Sequence, residues 1–242
     1  MKLVVRALAD QRAELLSRGL RENTRLVWIG EEAAFAGHRD ADAWLDLAGP
    51  GDGDGMTKRP PQGLPRYAGP SCPLVLLGSM SRLEGPVTPH ADTDAVRGAG
   101  EPAAARVVRI NAWPGMLERP LVEAAGPGAL QAQAEAVLAC FNRTVEWTPD
   151  IPGFISGRVL AAIINEAYFA LQDQVSSRDG IDTAMQLGTG YPLGPFAWCR
   201  RIGVRRIHQL LLQLAGEDSR YQPCPLLEQE ADLSFHGTDS SY

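Results

Sequence analysis

The stretch Ile181–Phe196, IDTAMQLGTGYPLGPF, starts with helical spacing and then breaks into Gly188, Gly190, Pro192, Gly194 and Pro195 around Tyr191 and Phe196. Glycine and proline supply backbone angles that other residues resist. The pattern predicts a tight corner between two helices that packs Tyr191 and Phe196 into the core. Working outward, the chain from Pro152 onward reads as helix after helix, over residues 155–173, 177–187, 194–201 and 203–215, with a Pro-broken tail. Ile207, Leu211 and Leu214 share one face of the last of these. The segment Ile155–Leu171 is apolar around most of its circumference, which suits burial on several sides. Arg158, Asn165 and Glu166 interrupt it, and it is too short and polar to span a bilayer.

Upstream of Asp150 the period changes. KLVVRAL, TRLVWIG, AWLDLAG, PLVLLGSM, ARVVRINAW, PLVEAAG and VEWTP are strand-like runs. DQRAELLSRGL, with Ala13, Leu16 and Leu20 at helical spacing, and PGALQAQAEAVLACFNRT, with Leu130, Ala134, Val137, Leu138 and Phe141 on one face, read as helices. Such alternation predicts a parallel sheet with crossover helices. Two loops divide it. Residues 50–73 are dense in glycine and proline, and residues 85–103 are polar. Asp52 and Asp54 in GPGDGDG lack the remainder of a calcium loop, including its closing Glu, so this segment reads as solvated.

Composition narrows the function. The 242 residues carry a formal charge of −6, and the 23 basic residues form no runs. Nucleic-acid binding rests on clustered Lys and Arg and is not expected. The N-terminus MKLVVRALADQRAELL is charged early and has no signal-peptide apolar core. Cys72, Cys140, Cys199 and Cys224 are scattered without a CxxC, the usage of free thiols in a cytoplasmic protein with no membrane association.

Asp150, Pro152, Gly153, Phe154 and Arg158, followed by Asp182, Ala184, Met185, Gly188, Gly190, Pro192, Gly194, Pro195 and Phe196, resemble the pattern D-x-PGF-x-x-NR … D-x-A-M-x-x-G-x-G-x-P-M/L-GPF of the 3-hydroxyacyl-CoA dehydrogenases. The resemblance implies a reduced Rossmann-like α/β domain over residues 1–150. An all-α domain of the 6-phosphogluconate-dehydrogenase-like type is implied over 151–230, with a tail at 231–242. It also implies a homodimer through the helical domain and an acyl-CoA-like ligand. In GSMSRL, Ser81 falls at the family's substrate-contacting serine. INAWPGMLERPLVEAA aligns without a gap, so that Glu123 falls on the glutamate that orients the catalytic His and Asn111 falls on the His itself. Gly157 falls on the substrate-binding Asn.

These positions bear on the chemistry. Removing a proton from a hydroxyl while hydride leaves for NAD needs a base with a pKa near neutrality, and His is the usual one. Asn cannot take a proton. His38, His90, His208 and His236 lie elsewhere; His90, in the second loop, reads as a surface residue. A dinucleotide fold places glycines between its first strand and helix so that backbone N–H groups reach the pyrophosphate. Here those positions hold Arg6, Leu8 and Gln11. Glu31, after the second strand, could meet a ribose but reads better as a solvated acid. The expectation is a family member that uses no cofactor and binds an acyl-CoA-like ligand or a partner without hydride transfer. The alternatives are an active NAD-dependent dehydrogenase with a divergent site, and a cofactor-free reaction with Glu123 as base.

Overall fold

In the computed structural model, which describes residues 1–48, 73–80 and 106–236, the first half of the chain builds one seven-stranded sheet. The apolar runs become β1 (Lys2–Arg6), β2 (Arg25–Ile29), β3 (Ala43–Asp46), β4 (Leu74–Gly78), β5 (Val107–Ile110), β6 (Leu121–Ala125) and β7 (Thr144–Trp147). Every residue of β3, β4 and β5 is buried, as befits strands covered on both faces. The order across the sheet is β2-β1-β3-β4-β5-β6-β7. All neighbours pair parallel except β5 and β6. The parallel sheet expected from strand–helix alternation thus forms with one antiparallel pair in it. Residues 111–120 contain no helix, and a parallel return needs a crossover of that kind.

α2 (Gly128–Ala139) covers one face of the sheet and buries Leu130, Ala134, Val137 and Leu138, with Phe141 just beyond its end, the face its spacing predicts. α1 (Ala9–Leu16) does not follow its spacing. Ala13, Leu16 and Leu20 are exposed, and the helix turns Gln11, Glu14 and Leu15 inward. Hydrogen bonds make the two polar burials tenable: Gln11 Nε2 donates to Leu47 O at 2.8 Å, and Glu14 Oε1 accepts from Gly115 N at 2.6 Å. Val4, Trp44, Val75 and Leu77 form a core on the opposite face with Phe35 from the short 3-10 segment Glu32–Gly37.

After Trp147 the described residues are helical: α3 (Ser156–Gln172), α4 (Arg178–Thr189), α5 (Pro195–Ile202), α6 (Val204–Ala215) and α7 (Pro225–His236). The order, an α/β sheet followed by helices, is the expected fold class. α7 corrects the Pro-broken tail. Asn165 of α3 accepts from Cys224 N at 2.8 Å and donates to Gln222 O at 2.9 Å, which fixes the chain just ahead of Pro225. Leu227 and Ala231 are then buried one helical turn apart. Among the described residues no helix is long and apolar enough to cross a membrane.

The corner between α4 and α5 shows why IDTAMQLGTGYPLGPF is written as it is. Gly190 ends α4 at φ +73°, a left-handed cap. Asp182, back in α4, then accepts from Phe196 N at 2.7 Å and Ala197 N at 3.0 Å, capping α5 from a neighbouring helix. A Cβ at Gly194 would overlap the Asp182 carboxylate. Phe196 is buried edge-on against Tyr168, at 5.1 Å between ring centroids. Tyr191 stays half-exposed, so only one of the two aromatic residues reaches the core.

Candidate functional site

The two halves meet where β5 ends and α3 begins. Arg109, in β5 and almost wholly buried, donates to Asp150 Oδ1 at 2.6 Å, to Ser79 O at 3.0 Å and to Ile151 O at 2.9 Å. Its guanidinium also lies 4.6 Å from the centroid of the Phe154 ring. Phe154 and Gly153 both take positive φ, +51° and +81°, so Pro152-Gly153-Phe154 forms a sharp turn that delivers Ser156 to the helix start. Trp113 and Met116, from the β5–β6 connection, belong to the same hydrophobic cluster as α3, α5 and α6.

Asn111 and Glu123, singled out in the sequence, do come together. Asn111 Nδ2 donates to Glu123 Oε2 at 2.9 Å, and the backbones of the two residues also bond, Asn111 N to Glu123 O at 3.0 Å. The structure adds Ser156, which the sequence reading passed over. Ser156 N donates to Glu123 Oε1 at 2.9 Å and its Oγ donates to Glu123 Oε2 at 2.8 Å. Asn111 Nδ2 also donates to Ser156 Oγ, at 2.9 Å, and Asn111 Oδ1 accepts from Trp113 N at 3.2 Å. Glu123 therefore caps the N-terminus of α3 and joins sheet to helices. A serine in the first turn of a helix, straight after a PGF turn, was the available signal, since free N–H groups there invite an acceptor.

Gly157 sits beside this cluster. A Cβ on it would overlap Met80 Cε, with Trp113 Cζ3 at 3.6 Å and Leu210 Cδ2 at 3.7 Å. The thioether end of Met80 thus fills the space a side chain at 157 would need. Ser81 and His90 lie outside the described residues. His208 is in α6 with its side chain largely buried, and burial lowers its pKa from the ordinary value near 6.5.

Along the same carboxyl-terminal edge of the sheet, β1 runs into α1 through Ala7 and Leu8 alone. Arg6 holds Asp46 through two bonds, Nε to Oδ1 at 2.7 Å and Nη2 to Oδ2 at 2.8 Å, across the carboxyl ends of β1 and β3. Gln11 Oε1 accepts from Leu8 N at 2.9 Å, occupying a donor at the helix start. Arg6, Leu8 and Gln11 therefore do not fit a pyrophosphate in the manner of a glycine cradle. Glu31 is exposed at the head of the 3-10 segment.

The comparisons with known proteins bear on both regions. Residues 153–241 match the 3-hydroxyacyl-CoA dehydrogenase, C-terminal domain. The chain is 42% identical over 129 residues to the 3-hydroxyadipyl-CoA dehydrogenase of Escherichia coli K12, a match covering 52% of this chain and 27% of that protein. It is 38% identical over 101 residues to a probable 3-hydroxybutyryl-CoA dehydrogenase of Bacillus subtilis, covering 41% of this chain and 35% of that one. The matched part thus spans about a quarter to a third of these relatives. The (S)-3-hydroxybutyryl-CoA dehydrogenase of Ralstonia eutropha superposes over 96% of this chain and 93% of its own, with a TM-score of 0.61 at 17% identity, which shows a shared fold. The expectation that no cofactor is used is corrected by these findings: the relatives are dehydrogenases, and NAD is the cofactor of the family the sequence resembles. Over residues 153–241 the chain is similar to the C-terminal domain of the 3-hydroxyacyl-CoA dehydrogenases.

Proposed function

We propose that the chain binds an acyl-CoA-like ligand where β5 meets α3, and that it does not carry hydride transfer on that ligand at an ordinary enzymatic rate. One observation carries the reading. Asn111, at the family's base position, is an amide that cannot accept a proton, and its side chain is buried in bonds to Glu123, Ser156 and Trp113 N. A positioned general base contributes about 10²–10⁴-fold to rate. Glu123, which orients the imidazole in the family, is engaged here by Ser156 and Asn111. The β1–α1 turn carries Arg6, Leu8 and Gln11 at the positions of the family's glycines.

The test is calorimetric titration of the whole chain with acyl-CoA, in the presence and absence of NADH, alongside an assay of 3-hydroxybutyryl-CoA oxidation with NAD. Acyl-CoA binding with turnover well below ~1–10³ per second is the expected result. Turnover within that range would overturn the second half of the proposal. Absence of acyl-CoA binding would overturn the first. Asn111→His is expected to raise whatever rate remains, because an imidazole would again stand against Glu123.

The helical domain is also proposed to form a homodimer. Leu187 of α4 is 83% exposed, and Ile155 and Val159, at the head of α3, are each about half exposed, so apolar surface is left over for a partner. Light scattering at micromolar concentration is expected to give twice the chain mass, and a monomer mass would end the idea. Cys140, Cys199 and Cys224 are free and buried, which supports a reducing, cytoplasmic setting.

A further inference from the structure

We infer that the cleft between α1 and α5 binds a small zwitterion of the amino-acid class, its ammonium held by Glu14 and its carboxylate by Arg18. The cleft measures about 640 Å³, within the range of ordinary small-molecule sites. Asp10, Glu14 and Arg18, each four residues from the next, line it from α1 and the end of α1. Glu118 lines it from the β5–β6 connection and Arg201 from α5. None of these residues belongs to the Asn111–Glu123–Ser156 cluster, and the inference does not depend on the acyl-CoA reading.

Glu14 is only 7% exposed, yet its carboxylate is half engaged. Oε1 accepts from Gly115 N at 2.6 Å and from Arg201 Nη2 at 3.2 Å, while Oε2 is buried with no hydrogen-bond partner among the described residues. A carboxylate oxygen held in that state costs free energy that a charged donor recovers. The terminal torsion of a glutamate is broad, so the carboxylate can turn Oε2 toward a donor entering the cleft. Three carboxylates, Asp10, Glu14 and Glu118, line the cleft with two guanidiniums, and Arg201 is already shared between Glu14 and Glu118. Burial raises the Glu14 pKa, and the charge of Glu118 adds to the rise. The fitting donor is therefore a cation.

Arg18 supplies the opposite charge. Glu14 and Arg18 have the spacing and order at which an acid and a base on one helix flank pair. The Glu14 ion pair runs to Arg201 instead, and the exposed Arg18 makes no ion pair among the described residues. Burial lowers the Arg143 pKa, and the charge of Arg18 lowers it further, so an anion at Arg18 would relieve both guanidiniums. Side chains four residues apart on a helix stand about 5–6 Å apart at Cβ. An α-amino acid, with its ammonium and carboxylate on one carbon, fits between two such groups and answers both charges at once.

The experiment is a thermal-shift screen of the full chain against each protein amino acid at millimolar concentration. Any that raises the Tm is then titrated calorimetrically beside its N-acetyl and carboxamide derivatives. At least one amino acid is expected to raise the Tm, and both of its derivatives to bind at least about tenfold more weakly. Glu14→Gln keeps an acceptor for Gly115 N and removes the charge, whereas Arg18→Gln changes an exposed residue. Each is expected to weaken binding about tenfold or more, with circular dichroism confirming the fold. A screen in which no amino acid raises the Tm would overturn the inference. So would a derivative that binds as tightly as its parent, or an affinity unchanged in either variant.

Discussion

Gly194 has no room for a side chain because the Asp182 carboxylate lies where its Cβ would stand. The strength of the motif is therefore a contact between residues far apart in the stretch, and the sequence displays the requirement without its cause. Gly194→Ala is expected to destabilise the protein by about 1–3 kcal/mol through overpacking. Asp182→Ala, which strands the Phe196 and Ala197 amides, should cost about 0.5–2 kcal/mol. Urea denaturation of both variants measures this, and unchanged midpoints would contradict it. Asn111 and Glu123 were legible because alignment places them twelve residues apart with no gap, and they do meet. Ser156 was not, since a serine in a variable position of a motif looks inert until a carboxylate from another strand is seen to reach its N–H and Oγ. Met80 was hidden for a similar reason: a glycine shows that space is kept free and does not say which residue fills it.

At the scale of elements, legibility followed how each helix earns its burial. α2 and α6 bury mainly apolar faces, and their spacing was enough to place Val137, Leu138, Ile207, Leu211 and Leu214 inside. α1 buries Gln11 and Glu14, whose cost is offset by hydrogen bonds to distant backbone, and no periodicity signals that. Arg143 is a further example. Its guanidinium is buried and donates to the carbonyls of Leu117, Phe141, Glu14 and Leu15, tying the end of α1 to the β5–β6 connection, and burial lowers its pKa. Arg143→Met is expected to cost about 3 kcal/mol or more, because several buried carbonyls lose their donor together. Thermal unfolding tests this; a Tm within a degree of wild type would refute it. His208 makes the packing of α6 against α7 sensitive to acid. Burial depresses its pKa below the ordinary 6.5, so the unfolded chain binds the proton more readily than the folded one. Stability from this group is present above pH 6.5 and lost as pH falls through the folded value. His208→Leu should flatten that part of the stability–pH curve.

Across the whole molecule, the halves are held on two sides. One is the Glu123–Ser156 cap with the Arg109–Asp150 pair. The other is Glu14 of α1, which accepts from Gly115 N and from Arg201 of α5, the latter also bonded to Glu118. Burial raises the Glu14 pKa above its ordinary value near 4.5, against the lowering pull of Gly115 N and Arg201. A raised carboxyl pKa means the folded state holds the proton more tightly, so stability falls as pH rises from about 4.5 through the folded value. Relative to Glu14→Gln, wild type should lose stability across that window, and denaturant midpoints at a series of pH values would show a constant difference if this is wrong. The order of sheet and helices was readable from the change of period near Asp150, whereas the junction was not, since it is built from single contacts between remote segments. The α4–α5 corner has one last consequence, in the time domain. Its key bond, Asp182 to Phe196 N, closes only fourteen residues, while β1 cannot pair with β3 until β3, some forty residues later, has arrived. Short closures lose less chain entropy and form sooner. The helical corner is thus expected to be structured in the folding transition state, so that Asp182→Ala slows refolding in stopped-flow measurements and leaves the unfolding rate nearly unchanged.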